Sequence, residues 1–158
     1  MRKPNGFSLI ELLIVVAIIL IIAAIAIPNL MRARMSANES SAAGSIRTIN
    51  TGEVSYASAY PSIGFTSLSV LGGSEPCTPS TSSGCFIDNV LAAGSKEGYT
   101  FTATAATQVG GVYMTYTSLG SPSSLNKTGT RSFCSDQTGV IFYAVDSTAC
   151  ANTNSVLQ

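Results

Sequence analysis

Phe7-Ser8-Leu9-Ile10-Glu11-Leu12-Leu13-Ile14-Val15-Val16-Ala17-Ile18-Ile19-Leu20-Ile21-Ile22-Ala23-Ala24-Ile25-Ala26-Ile27-Pro28 decides how the rest of this chain is read. From Leu12 to Ile27 no side chain is polar. As an α-helix, Phe7 to Ile27 spans ~31 Å at 1.5 Å per residue, which matches the hydrocarbon core of a bilayer. Arg2 and Lys3 precede the run, so the bias of basic residues toward the cytoplasmic side puts the N-terminus inside and the residues after Pro28 outside. Three readings compete. One is a cleaved secretory signal with Ala24-Ile25-Ala26 as its small-residue cut site, another a permanent single-span anchor, and the third a buried core helix, which the uniformity of the run disfavours.

Glu11 separates them. A carboxylate in an apolar span costs about 2.5–3.5 kcal/mol at the centre and less near an end, and neither a signal peptide nor a plain anchor has a use for it. No Lys or Arg lies between residues 4 and 31 to neutralise it. A partner is therefore expected from outside this helix.

Composition narrows the chemistry. Only 10% of the 158 residues are charged, with 8 basic against 8 acidic, so electrostatic capture of nucleic acid is not implied. Histidine is absent, which removes the commonest general base and the commonest transition-metal ligand. No nucleophile triad, phosphate loop or carboxylate pair on one face emerges, and the reading is of a non-enzyme without cofactor or metal. Asp136 and Asp146, or Asp88 with Asn89, are conceivable calcium ligands, but their spacing is not that of a calcium loop and turn chemistry explains Asp88 and Asp136 better. The four cysteines, Cys77, Cys85, Cys134 and Cys150, form no Cys-x-x-Cys pair and all lie beyond the apolar run. If that half is exported, two disulfides are natural. The pairings Cys77–Cys85 and Cys134–Cys150 each close a short local loop and are preferred over the two alternatives.

Pro28 removes one helical hydrogen bond and crowds the carbonyl four residues back, so a kink is expected near Ala24 to Pro28. The helix is expected to continue, because Asn29-Leu30-Met31-Arg32-Ala33-Arg34-Met35 holds good helix formers and no Gly. Ala42, Ala43, Ile46, Ile49, Val54, Tyr56, Ala57 and Tyr60 recur at steps of three and four, with imperfect spacing, and predict an amphipathic half over residues 29–60 whose apolar stripe docks on a head; Pro61 ends it. Past Pro61 the chain turns to Gly, Ser, Thr and β-formers. A loop runs from Gly72 to Cys85 and a short helix is expected over Phe86 to Ala93. Strands are expected at Tyr99–Thr104, Val112–Thr117, Arg131–Cys134 and Val140–Val145, with turns at Gly110-Gly111 and Asp136–Gly139. The fold class is α+β: one long N-terminal helix, membrane-spanning then amphipathic, packed on a small antiparallel sheet of about four strands.

Gly6-Phe7-Ser8-Leu9-Ile10-Glu11-Leu12-Leu13, continued through Val15-Val16-Ala17-Ile18 to Ala23-Ala24-Ile25-Ala26-Ile27-Pro28, resembles the class III signal of type IV pilins and of the pseudopilins of type II secretion. The resemblance covers about the first thirty residues; Gly98-Tyr99-Thr100-Phe101 and Ser135 to Ile141 resemble pilin heads far less specifically. It implies that a prepilin peptidase cleaves after Gly6 and methylates the new amine of Phe7. It also implies that Glu11 pairs with the N-terminal amine of a neighbouring subunit. On that reading residues 1–6 are a leader, 7–28 the membrane and filament-core half of the helix, 29–60 its amphipathic half and 61–158 the head. The expected function is a structural subunit of a type IV pilus, self-assembled by inner-membrane machinery into a surface filament for adhesion or twitching. A pseudopilin and a membrane-anchored extracytoplasmic binding module are the alternatives.

Overall fold

A computed structural model describes residues 7–74, 76–145, 150–151 and 155–157. The leader positions 1–6, Gly6 among them, and Asp146 lie outside the described residues. Helix α1, Leu9–Ala59, contains Pro28 in its interior and ends just before Pro61. By its contacts the chain divides into two units after Arg34.

The first unit, up to Arg34, is the apolar part of α1. Among the described residues it has no buried side chain.

In the second unit α1 buries Glu39, Ala42, Ala43, Ser45, Ile46, Ile49, Asn50, Gly52, Glu53 and Tyr56, a face that repeats at the helical period. Among the described residues none before Glu39 is buried, and Asn38 Nδ2 donates to Thr128 O at 3.0 Å. Val54, expected in the stripe, is 56% exposed, because a residue one step from Glu53 points about 100° away from it. Gly52, a weak helix former, is explained by packing: a Cβ there would lie 3.0 Å from Ile87 Cγ2.

The sheet has six strands in the order of the chain, all antiparallel: β1 Ser95–Lys96, β2 Tyr99–Val109, β3 Val112–Pro122, β4 Arg131–Asp136, β5 Ile141–Val145 and β6 Ser155–Val156. Four were expected; the two outer strands are only two residues long and carry no alternation to read. β2 and β3 are each eleven residues long, with Val109 opposite Val112. The Gly110-Gly111 turn has φ of 61° and 87°, the left-handed pair that suits a two-residue hairpin loop.

The core joins Ala42, Ala43, Ile46, Ile49 and Tyr56 of α1 to Tyr99, Phe101 and Ala103 of β2, Phe133 of β4 and Ile141 of β5. Leu68 and Leu71 of helix α2 (Leu68–Leu71), with Ile87 and Leu91, close one end. The second short helix, α3 (Asn89–Ala92), is capped by Asp88, which accepts from Leu91 N at 2.9 Å and pairs with Lys96 at 3.2 Å. The Leu91 amide first, and Lys96, hold the Asp88 carboxyl below its ordinary range against the effect of burial.

Cysteines 77 and 85 are joined, as are 134 and 150. The Cys77–Cys85 loop is also held from below, where the Tyr56 hydroxyl donates to Thr81 O at 2.6 Å. Replacing both Cys77 and Cys85 by Ser costs about 2 kcal/mol, as expected for so short a closed loop. Denaturant unfolding of the full chain with and without the pair measures it, and a loss under 0.5 kcal/mol would show that the loop's other contacts suffice.

Candidate functional site

The apolar run lacks a cover. Between Phe7 and Met31 every Phe, Leu, Ile, Val and Met side chain is at least 46% exposed, and Phe7 and Leu9 reach about 80%. At ~25 cal/mol per Å² an apolar surface of that length does not remain in water. It is long and apolar enough to cross a membrane.

The start of the helix explains part of Glu11. Ser8 precedes the first helical residue, and its backbone N–H donates to Glu11 Oε2 at 2.9 Å, while Leu12 N donates to Ser8 O at 3.2 Å. Ser8-Leu9-Ile10-Glu11 has the spacing of a capping box, in which an acid three residues on satisfies an orphan N–H. This local donor holds one oxygen and brings no positive charge, so the counter-charge expected from outside the helix is a separate matter. The carboxylate thus lies at the helix N-terminus, where its charge meets the positive end of the dipole. What the local bond leaves unmet is a counter-charge.

Pro28 sits at a point where the helix continues. Arg32 and Arg34 follow it, both exposed. The arrangement is an apolar cylinder with one acid at its tip and two guanidinium groups at its base, near the spacing at which basic side chains meet a bilayer surface.

Two buried acids in the second unit were not foreseen. Glu39 takes four donors: Thr130 N at 2.7 Å, Thr130 Oγ1 at 2.8 Å and Arg131 N at 3.2 Å on Oε1, and Arg131 Nε at 2.7 Å on Oε2. Burial alone would raise its carboxyl, but the Thr130 amide, the Arg131 guanidinium and the Thr130 hydroxyl together bring it below the ordinary value. Arg131 lies over the rings of Phe133 and Tyr143 at 5.7 and 5.6 Å. Glu53, four turns further along the same face, is fully buried and accepts one bond, from Thr66 N at 3.0 Å. Asn50 between them receives Tyr116 Oη at 3.0 Å and donates to Ser135 Oγ at 2.8 Å. The signal in the sequence was phase: Glu39, Asn50 and Glu53 fall on the helical period of Ala42, Ala43, Ile46, Ile49 and Tyr56.

The calcium candidates have other work. Asp88 caps α3, and Asp136 Oδ1 accepts from Thr138 N at 2.9 Å and Thr138 Oγ1 at 2.6 Å, a turn of its own.

The apolar N-terminal part of α1, with an acid in its first turn, is also the segment that known proteins match. The family described as "Prokaryotic N-terminal methylation motif" matches residues 1–27. The type IV wide pilus major component PilA4 of Thermus thermophilus is 64% identical over 39 residues, 25% of this chain and 30% of that protein. The type IV major pilin protein PilA of Myxococcus xanthus is 47% identical over 54 residues, 34% of this chain and 24% of that protein. The matches thus span less than a third of either relative's length. No solved structure matches. Over its N-terminal segment the chain is similar to these type IV pilins.

Proposed function

We propose that this chain is a structural subunit of a type IV pilus filament and not an enzyme. The observation that carries the reading is that the apolar part of α1 up to Arg34 has no buried side chain among its described residues, in a segment bearing the N-terminal methylation motif. The precursor rests in the inner membrane by this helix, N-terminus in the cytoplasm and head outside. Prepilin peptidase cuts after Gly6 and methylates the amine of Phe7. Inner-membrane assembly machinery then lifts each subunit out of lipid, and helices that faced lipid bury against one another in the filament core. That exchange keeps the apolar surface out of water throughout, and Pro28 supplies a bend where the helix leaves the bilayer. The head, stapled by Cys77–Cys85 and Cys134–Cys150, forms the outer face of the extracellular filament, available for adhesion and twitching motility.

The test is N-terminal sequencing of protein sheared from cells. Methylated Phe7 as first residue supports the reading. Cleavage after Ala26 or an intact Met1, with no polymer, overturns it in favour of a secreted or membrane-tethered module. Fibres absent while export through the outer membrane fails on deletion would assign the chain to a type II secretion pseudopilus instead.

A further inference from the structure

Glu53 has no part in the assembly just described, yet it is the most anomalous group in the head. Its exposure is 0%, Oε2 accepts only the Thr66 amide, and Oε1 is the one buried side-chain polar atom among the described residues with no hydrogen-bond partner. Among the described residues no Lys or Arg forms an ion pair with it. The titratable groups around it are Tyr56 on its own helix, Tyr60 beside Tyr56, and Tyr116 of β3, itself influenced by Asp136. All are neutral or acidic, so none favours a carboxylate. Gly52 beside it packs on Ile87 and Leu71, which are apolar.

Thr66 belongs to a strap between α1 and α2. Ile63 O accepts from Tyr113 N at 2.8 Å, Phe65 N donates to Tyr113 O at 3.1 Å, and the Phe65 ring sits 4.8 Å from that of Tyr116. The strap thus ties α1 to the β2–β3 hairpin, and its inner side rests on Glu53.

We propose that Glu53 is a pH-sensitive latch, a neutral carboxyl that fastens the Ile63–Ser67 strap to α1 when protonated and releases it when ionised. A neutral carboxyl in that place leaves one hydroxyl short of an acceptor; a carboxylate there is an uncompensated charge in an apolar surround, which is far costlier. Burial accordingly pushes the group from 4.5 up to about 7, the Thr66 amide being the one opposing influence. The sign follows from a folded value above the released one. The latch is fully closed below about 4.5, weakens as pH rises toward 7, and levels off above it. Glu39, whose carboxyl is depressed, works the other way and loosens in acid. The two acids thus secure two parts of the head with opposite pH responses.

Amide exchange of the full chain in detergent micelles tests this, corrected for the intrinsic pH dependence of exchange. The opening constant at Thr66 should rise about tenfold per pH unit from about 4.5 to 7 in the wild type and stay flat in Glu53→Gln. Thr130, held by Glu39, should show no such rise. A wild-type Thr66 that is flat across the window, or an equal slope in the Gln variant, overturns the latch. Should Glu53→Gln fail to fold, the carboxyl ¹³C titration of wild-type Glu53 decides: a midpoint near 7 supports the latch, and one below 5 defeats it.

Discussion

Glu39→Ala lowers the stability of the head by about 3–5 kcal/mol, the range for removing one partner of a buried charge pair. The reason is the number of donors that converge on one side chain. Two backbone amides, Thr130 and Arg131, the Thr130 hydroxyl and the Arg131 guanidinium all lose their acceptor at once. Each buried orphan costs about 1–3 kcal/mol, and the charged one sits at the upper end. The effect is not the full sum, because the Arg131 side chain is 37% exposed and can turn its charge to water while keeping its place over Phe133 and Tyr143. Glu39→Gln, which keeps an acceptor oxygen but not the charge, should fall between wild type and Ala. Denaturant unfolding near pH 7 measures all three. A loss under about 1 kcal/mol for Ala would mean that water replaces the carboxylate and that the clamp is a surface feature. Because the folded carboxyl lies below its ordinary value of 4.5, this contribution is present above that value and fades as pH falls through the folded one. The wild type should therefore lose stability in acid more steeply than either variant.

The clamp was hidden by the habit of reading charged residues as solvent-facing. Glu39 and Glu53 are in phase with the stripe, but apolar character alone selects Val54 and passes over the acids. Glu39 is buried because two amides, a hydroxyl and the Arg131 guanidinium at the start of β4 converge on its carboxylate. Local rules did carry the rest of the head. Tyr99 to Thr104 alternates because one face of β2 meets Ile46 and its neighbours, and Gly110-Gly111 leaves no other turn than a tight hairpin. The two-residue strands β1 and β6 and the one-turn α2 were invisible for the opposite reason: they are too short for any period, and tertiary contacts alone define them. At the N-terminus, length and apolarity told of a spanning helix. The bond from Ser8 to Glu11 has a capping-box spacing that is legible in the sequence, whereas a counter-charge is not.

That bond sharpens the second large effect. Glu11→Ala, expressed without a wild-type copy, should still be cleaved but should yield filaments reduced by at least a hundredfold. The proposed assembly gives Glu11 two roles that separate by chemistry. As a cap it needs only an oxygen acceptor for Ser8 N–H, and the loss of a cap costs about 1 kcal/mol, less than a tenfold change. As the counter-charge to the methylated amine of Phe7 on an adjoining copy it needs the negative charge, and breaking such a pair in a water-poor core costs about 3–5 kcal/mol, two to three and a half orders of magnitude per contact. Glu11→Gln keeps the first role and loses the second. If charge pairing between copies governs assembly, Gln fails almost as badly as Ala, and counting sheared filaments from the two strains shows equal, near-complete loss. If Gln builds fibres in wild-type number while Ala does not, the acid serves its own helix, and the register between subunits must come from the apolar packing alone.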